Sequence, residues 1–380
     1  MQQALVNGRI LTDDGFNDSH CVMIDDGRIS AICATADIPG GAERFDLRGG
    51  TLLPGFIDVQ VNGGGDRLFN DDPGVDTIAA IGAAHRRFGT TGFLPTLISD
   101  DEPKIAAALD AARSAIAAGV PGVLGVHIEG PFLNPERKGI HDRRKLRPIG
   151  ESEIQLLCTP VGGATVLTLA PEKVPGETLR RLSDAGVILC AGHTQATADD
   201  IAAALGNGLR GFTHLFNAMS QLTPREPGVV GAALLDGDSW CGIIVDGHHV
   251  DPRVLRLAMR AAPLRRFMLV TDAMPSVGGG RKAFTLNGEA ITVENGRCLN
   301  AAGTLAGSDL DMASAVRNAV TMLGLELSDA AAMASTNPAA FLRLDHELGR
   351  IAPGYRASLT LLDDDLHATQ TWIDGVRSGS

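Results

Sequence analysis

The stretch LPGFIDVQVNG, residues 53–63, separates two kinds of sequence pattern and thereby decides the fold. Before it, short β-like runs such as 4–6 and 21–24 alternate with turn dipeptides such as Asn7-Gly8, which predicts a small β unit. After it, apolar runs of strand length alternate with Ala-rich segments at helical spacing. The stretch therefore ends the small β unit and begins the first strand of a second, larger unit.

The alternation after residue 63 predicts repeated βα units around a parallel sheet. The strand-length apolar runs include 123–126, 165–169, 187–189, 242–245 and 267–270. Helices are predicted over 76–88, 103–118 and 309–323, and a β-hairpin over 283–299 with Asn287-Gly288 as its turn. The fold class is predicted to be α/β, with a (β/α)8 TIM barrel as the main unit.

The C-terminal stretch returns to the β pattern, with strand-like runs at 357–362 and 371–375. Because each β-rich end is too short to bury a core alone, we expect the two ends to pair into one discontinuous β-sandwich domain. The predicted domains are residues 1–52 plus 346–380 for this sandwich and residues 53–345 for the barrel. A length of 380 residues fits a barrel with one small appendage.

Composition and charge narrow the choice of partners. Hydrophobic residues make up 44% of the chain and aromatic residues 4%, which is typical of Ala-, Val-, Leu- and Ile-rich interiors under a parallel sheet. The formal net charge of -12 argues against nucleic acid or anionic membrane as a partner, because a polyanion is repelled at long range. An anionic substrate would therefore need a local basic pocket.

The six cysteines form no CxxC pair, and no export signal or long apolar run precedes or follows them. They are interpreted as reduced thiols, so a cytoplasmic location is predicted. No membrane span is expected, since no stretch approaches the length of uninterrupted apolar sequence that a bilayer requires.

Four polar side chains come directly after apolar runs. Glu129, His193 and His214 are a carboxylate and two imidazoles, a set that suits Zn or Fe with an open coordination position. Parallel barrel strands present such side chains at one shared rim. Asp272, which follows another run, then remains available to handle protons.

The 53–63 stretch resembles the first barrel strand of the amidohydrolase superfamily, whose members usually continue with His-x-His as metal ligands. This chain has Gln60 and Asn62 there, and neutral amides are poor ligands for a transition metal. The substitution resembles a subgroup that keeps a single metal. A decayed, inactive site is the alternative interpretation of this segment.

Further strings resemble the N-acetylglucosamine-6-phosphate deacetylase family in order and spacing. They are 126–132, 138–141, 191–194, 213–219, 225–228, 246–251 and 271–273. The resemblance implies hydrolysis of N-acetylglucosamine 6-phosphate, a phosphorylated amino sugar, to glucosamine 6-phosphate and acetate in amino-sugar catabolism and cell-wall recycling.

The resemblance also implies roles for single residues. Glu129, His193 and His214 fall on the metal-ligand positions for one divalent metal, with Zn as the first choice and Fe, Co or Mn as alternatives. Asp272 falls on the catalytic carboxylate, and His141 on a residue that contacts the amide carbonyl and stabilises the oxyanion. The substrate-binding positions are Ile140, His141, Asn217, Ala218, Arg225, His249, Leu305, Ala306 and Gly307.

In the family the arginine that matches Arg225 grips phosphate across a dimer interface, so a homodimer is expected. His127 and His248 are interpreted as structural, and Gly278–Gly280 as a connection into the hairpin. Two alternatives stay open. One is a deacetylase for another N-acetylhexosamine phosphate or an N-acyl amino acid, and the other is a non-catalytic scaffold with this fold.

Overall fold

The computed structural model describes residues 2–379, and it begins with the predicted small β unit. The strands of this unit are short, and turn residues such as Asn7 and Gly27 separate them with positive φ angles. The strands are β1 (Gln3–Val6), β2 (Arg9–Thr12), β3 (Gly15–Asn17), β4 (His20–Asp25), β5 (Arg28–Ala34), β6 (Glu43–Asp46) and β7 (Thr51–Pro54).

Eight parallel strands follow in chain order and form one sheet. Their side chains are almost all buried on both faces, as expected for strands covered by helices on the outside. The barrel strands are β8 (Phe56–Val61), β11 (Thr90–Ile98), β12 (Gly125–Glu129), β13 (Ala164–Leu169), β14 (Ile188–Ala191), β15 (Leu209–Phe212), β16 (Trp240–Ile243) and β17 (Phe267–Leu269). The short strands β9 (Gly63–Gly64) and β10 (Arg67–Leu68) pair beside the first barrel strand.

The barrel closes where the segment after β17 meets the end of β8. The backbone N–H of Asp272 donates to the carbonyl of Gln60 at 3.0 Å, and Val61 forms a parallel bridge to Ala273. The predicted (β/α)8 fold is confirmed. Closure also brings residues 60–62 against residues 272–273, a contact between distant parts of the chain.

The helices cover the outside of the barrel. They are α1 (Val75–Arg86), α2 (Glu102–Ala117), α3 (Glu151–Leu157), α4 (Gly176–Asp184), α5 (Ala198–Leu205), α6 (Gly228–Leu235), α7 (Pro252–Ala261), α8 (Met312–Leu323), α9 (Leu327–Ala334) and α10 (Thr336–Phe341). The helices predicted over 76–88, 103–118 and 309–323 correspond to α1, α2 and α8. None of the helices within residues 2–379 has the length and apolar character needed to span a membrane.

The predicted hairpin is part of a larger insert between β17 and α8. Its strands are β18 (Ala283–Leu286), β19 (Glu289–Glu294), β20 (Arg297–Asn300) and β21 (Leu305–Ser308), all antiparallel. Asn287 and Gly288 at the turn both have positive φ, as a two-residue hairpin loop requires. The insert buries its own apolar cluster against Leu68, Ile98 and Met274 at the barrel rim.

The last strands are β22 (Leu359–Leu362), β23 (Ala368–Ile373) and β24 (Val376–Arg377), and they return to the first β unit. β7 pairs with β22, and residues from both chain ends share a core that includes Ile10, Leu52 and Trp372. The small β-sandwich is thus built from both termini, as predicted. The exact domain boundaries at 52/53 and 345/346 remain a prediction.

Candidate active site

Glu129, His193 and His214 meet at the carboxyl ends of the barrel strands β12, β14 and β15. Glu129 is the last residue of β12, and the two histidines follow β14 and β15. Glu129 Oε1 lies 3.0 Å from Nε2 of each histidine, and the two Nε2 atoms lie 3.1 Å apart. All three side chains are buried. The arrangement brings one carboxylate and two imidazoles to a single point.

This cluster has the donor chemistry of a metal site. Nδ1 of His193 lies 2.8 Å from the backbone carbonyl of Arg137, which can only accept, so this nitrogen carries the proton. In the neutral ring the lone pair of Nε2 then faces the cluster, as a metal ligand requires. Two imidazole nitrogens and a carboxylate oxygen within 4.8 Å of one another could hold a metal ion.

The charges and burial around the cluster favour an ionised Glu129 and a raised pKa for His214. Burial alone would raise the pKa of Glu129, but its close contacts with the rings of His141, His193 and His214 outweigh burial and hold the pKa well below its usual value. Burial alone would lower the pKa of His214, but the hydrogen bond and charge of Glu129 raise it. Glu129 therefore stays ionised and attracts positive charge to this point.

Asp272 lies beside the cluster, in the segment that closes the barrel. Its Oδ1 accepts hydrogen bonds from Asn62 Nδ2 at 2.6 Å and Gln60 Nε2 at 3.2 Å. Burial, with the negative charge of Glu129 as the next cause, raises the pKa of Asp272 to about 6. A carboxyl group with a pKa in this range can take up and release a proton near neutral pH.

His141 completes the group from the loop after β12. Its Nδ1 accepts from the backbone N–H of Ser99 at 3.3 Å and lies 2.7 Å from Ser99 Oγ, while its Nε2 lies 3.8 Å from Glu129 Oε1. Burial lowers the pKa of His141 to about 4, so the ring is neutral near pH 7. With Nδ1 as acceptor, Nε2 carries the proton and can donate it in a hydrogen bond. Ser99 lay outside the sequence prediction, because nothing in the local sequence marks it.

These groups face one cavity of about 310 Å³. Seven of the predicted substrate-binding residues line it, namely Ile140, His141, Asn217, Ala218, His249, Leu305 and Gly307. Asn62, Ile98 and Met274 also line the wall, although sequence reasoning did not place them there. The insert contributes Gly303, Thr304, Leu305 and Gly307 to this wall.

Two predicted residues lie elsewhere. Ala306 is fully buried in the apolar cluster of the insert, because successive residues of β21 face opposite sides of the sheet. Arg225 is exposed on the loop before α6 and is absent from the cavity wall. The side chain of Ala306 therefore does not line the cavity, and a backbone contact between this residue and the sugar stays a prediction. Arg225 therefore does not line the cavity of its own chain, and no contact between Arg225 and a substrate bound there is supported.

The two histidines interpreted as structural from the sequence, His127 and His248, have structural contacts. His127 points into the barrel, with Nε2 2.8 Å from Thr168 Oγ1 and Nδ1 3.2 Å from Thr96 Oγ1. His248 is exposed, and its Nε2 lies 3.0 Å from the carbonyl of Asn295 in the insert. Both agree with the structural interpretation made from the sequence.

Comparisons with known proteins agree with this geometry. Residues 51–378 match the model of the amidohydrolase family, and residues 3–52 match the NagA composite domain. An N-acetylgalactosamine-6-phosphate deacetylase of Shewanella sp. (strain ANA-3) is 42% identical over 97% of this chain and 93% of its own length.

Two further relatives cover almost the whole chain. An N-acetylglucosamine-6-phosphate deacetylase of Haemophilus influenzae is 33% identical over 99% of both chains. The crystal structure of an N-acetylglucosamine-6-phosphate deacetylase from Pasteurella multocida superimposes with a TM-score of 0.96 at 34% identity and covers 100% of both chains.

Proposed function

This chain belongs to the amidohydrolase family, and we propose that it removes the acetyl group from an N-acetylhexosamine 6-phosphate, with N-acetylglucosamine 6-phosphate as the first candidate. The products are glucosamine 6-phosphate and acetate, as in amino-sugar breakdown. The observation that carries the proposal is the convergence of Glu129, His193 and His214 beside Asp272 in one cavity. We place this activity in the cytoplasm.

We propose that Glu129, His193 and His214 hold one divalent metal, with Zn as the first choice and Fe, Co or Mn as alternatives. Such a metal would supply Lewis acidity toward water and the amide carbonyl. The ionised state of Glu129 and the His193 proton on Nδ1 both suit this role.

The chain's own residues would handle the proton and the developing charge. Asp272 would accept a proton from the attacking water and return it to the leaving nitrogen, which its pKa of about 6 permits. His141 would donate its Nε2 proton in a hydrogen bond to the carbonyl oxygen as negative charge develops there. A donor of this kind contributes roughly 3 kcal/mol to transition-state stability.

Substrate binding would use the cavity wall and a second copy of the chain. Asn217 and Ala218 lie beside His214 and offer main-chain contacts, while Gly307 exposes backbone on the opposite wall. Because Arg225 lies outside its own cavity, we propose that it reaches the phosphate of a substrate bound in the partner of a homodimer.

A second candidate substrate is N-acetylgalactosamine 6-phosphate. The Shewanella relative that carries this name has a higher identity to the chain than the Haemophilus relative named for the glucose epimer, 42% against 33%. The two sugars differ at a single hydroxyl, so both must be tested under the same conditions.

The test measures acetate release from both phosphorylated sugars, from unphosphorylated N-acetylglucosamine and from an N-acyl amino acid. We expect turnover of a phosphorylated sugar, loss of activity with a chelator, and recovery on adding back a divalent metal. Substitution of Asp272→Asn should remove most turnover while the metal content stays the same. A protein that binds no metal and turns over none of these compounds would support the scaffold alternative instead.

A further inference from the structure

Gln60 and Asn62 occupy the positions where most amidohydrolases have the His-x-His pair, yet both amides are buried in the site and hydrogen-bonded to its carboxylates. We propose that Gln60 and Asn62 are positioning residues that fix the carboxylate of Asp272 through Oδ1 and leave Oδ2 as the atom that carries the proton. This inference rests on the proposed deacetylase activity and deepens it.

The hydrogen bonds of Asp272 distinguish its two oxygens. Oδ1 accepts from Asn62 Nδ2 at 2.6 Å and from Gln60 Nε2 at 3.2 Å. Oδ2 has no hydrogen-bond partner among residues 2–379, and Asp272 lines the cavity. Two donors on one oxygen hold the plane of the carboxylate, so the other oxygen keeps one direction relative to the substrate. Such fixed geometry is what a proton carrier needs.

Gln60 also ties this carboxylate to the candidate metal cluster. Its Nε2 lies 3.1 Å from Glu129 Oε2, so one amide group donates to both carboxylates. Glu129 Oε1 then remains the oxygen that meets His193 and His214. The spacing between the proton carrier and the metal ligands is thereby set by a single neutral side chain.

Amides suit this task because they do not titrate. An imidazole or a carboxylate at these positions could exchange a proton with Asp272, whereas an amide N–H donates a hydrogen bond in either protonation state of Oδ2. The amide orientation is also fixed. In the observed orientation, Asn62 Oδ1 is buried without a hydrogen-bond partner. A flipped amide would instead place this oxygen against Asp272 Oδ1, and the repulsion between the two oxygens would cost more than the missing hydrogen bond.

The backbone holds donors and acceptor in register. The N–H of Asp272 donates to the carbonyl of Gln60 at 3.0 Å, and the N–H of Asn62 donates to the carbonyl of Ala273 at 3.0 Å. The two segments are therefore joined at the point of barrel closure, on either side of the side-chain contacts. This argues for a built support of Asp272 and against the decayed-site interpretation of the Gln60 and Asn62 substitutions.

The test is a double-mutant cycle with Asn62→Leu, which keeps the side-chain volume and removes the donor. If Asn62 acts through Asp272, Asn62→Leu should lower kcat by about 10- to 100-fold with KM changed by less than about threefold. In the Asp272→Asn background, the same substitution should cause no further loss. Gln60→Met should also lower kcat, but part of its loss should persist in the Asp272→Asn background, because Gln60 also donates to Glu129.

A buried amide elsewhere provides the control for structural damage. Asn337 donates to the carbonyls of Leu264 and Phe267, away from the cavity, and Asn337→Leu should lower the unfolding temperature without changing kcat. The unfolding temperature and the metal content of the Asn62 variant, measured separately, should stay near wild type.

The outcomes separate the two proposals. Unchanged kcat in Asn62→Leu, or losses that add to those of Asp272→Asn, would overturn the positioning role while leaving the deacetylase intact. Full activity in Asp272→Asn alone would overturn the proposed mechanism itself.

Discussion

His249 depends on Asp246 for its orientation. Its Nδ1 lies 2.6 Å from Asp246 Oδ2, and the backbone N–H groups of His248 and His249 donate to Asp246 Oδ1. Burial alone would raise the pKa of Asp246, but the hydrogen bond and charge of His249 outweigh it and lower the pKa. The carboxylate therefore holds the proton on Nδ1 and leaves Nε2 for a ligand in the cavity.

Substitution of Asp246→Asn should move the proton of His249 from Nδ1 to Nε2. The new amide N–H would face Nδ1 and favour the tautomer with the proton on Nε2, so a substrate hydroxyl would lose its acceptor. We expect KM to rise by about tenfold with a smaller change in kcat, as steady-state kinetics would reveal. Asp251→Asn, at the exposed start of α7, is the matched control, and equal kinetics in both variants would contradict the role of Asp246.

The burial of Asp58 leads to a separate prediction about how the stability of the protein depends on pH. It is fully buried inside the barrel, where burial raises its pKa to about 7 despite hydrogen bonds from Thr271 and Gln60. In the unfolded chain the pKa is about 3.9, so the folded state holds the proton more tightly. The contribution of Asp58 to stability is therefore fully present below the unfolded pKa and is lost as pH rises from about 4 to about 7.

Asp58→Asn removes this titration but keeps a side chain of the same shape. We expect the variant's unfolding temperature to vary less than that of the wild type between those pH values. Thermal unfolding across this range measures the difference, and parallel pH profiles for the two proteins would show that Asp58 does not titrate there.

Residue identities were predictable from sequence only where a motif fixed both the residue type and its place. Glu129, His193, His214 and Asp272 follow apolar runs, and the rim of a barrel brings such positions together. Ser99 and the function of Gln60 were beyond reach, because their contacts join residues 42 and 69 positions apart in the chain. A single sequence contains no information on such pairs.

At the level of elements, the ends of the strands explain why the sequence predicted where the site lies but not the geometry of its side chains. His193, His214 and Asp272 all have positive φ angles, so each strand turns sharply just as it delivers its side chain. Positive φ costs energy for residues other than glycine and is typical of functional sites. Apolar patterning predicts the strand, but the turn after it depends on tertiary contacts.

Gly192 shows how tightly these ends are packed. A Cβ atom there would lie 2.6 Å from Thr168 Cγ2 and 3.1 Å from Thr213 Cβ. Thr168 cannot rotate away cheaply, since its Oγ1 lies 2.8 Å from His127 Nε2 and 2.6 Å from Thr213 Oγ1. The space between β13, β14 and β15 therefore admits only glycine immediately before His193.

Gly192→Ala should consequently destabilise the protein by roughly 1–3 kcal/mol and displace His193, with reduced metal affinity. Denaturant unfolding and metal titration measure the two effects. Gly237→Ala is the control, because nothing lies within 4 Å of a Cβ atom at that position, and its stability should match wild type within error. Wild-type metal affinity in Gly192→Ala would show that His193 tolerates the shift.

At the level of the whole molecule, the barrel and the two-ended sandwich followed from the change of pattern at residues 53–63. The insert was only partly predictable. Asn287-Gly288 identified its first hairpin, but the pairing of β20 with β21 and the burial of Ala306 arise from packing against the barrel rim. Register in a short, half-exposed sheet is set by such contacts more than by its own sequence.

The surface around α6, α7 and α8 is relevant to the proposed homodimer. Exposed apolar side chains gather there, with Leu222 62% exposed on the preceding loop, Leu235 81% on α6 and Leu257 66% on α7. Arg225 lies on the same loop as Leu222. An apolar surface beside an exposed arginine fits an interface that buries the leucines and brings the arginine to the partner's cavity.

Leu257→Asp should therefore weaken dimerisation and, with it, phosphate recognition. We expect a monomer in sedimentation experiments and a KM for the phosphorylated sugar raised by about tenfold or more, since each site loses a charge-assisted contact. Activity toward unphosphorylated N-acetylglucosamine should change less. Val376→Asp provides the control, because Val376 is 60% exposed on the sandwich and lies far from this surface in the fold. A monomeric Leu257→Asp variant with unchanged KM would show that the phosphate is held within one chain, whereas a dimer would place the interface elsewhere.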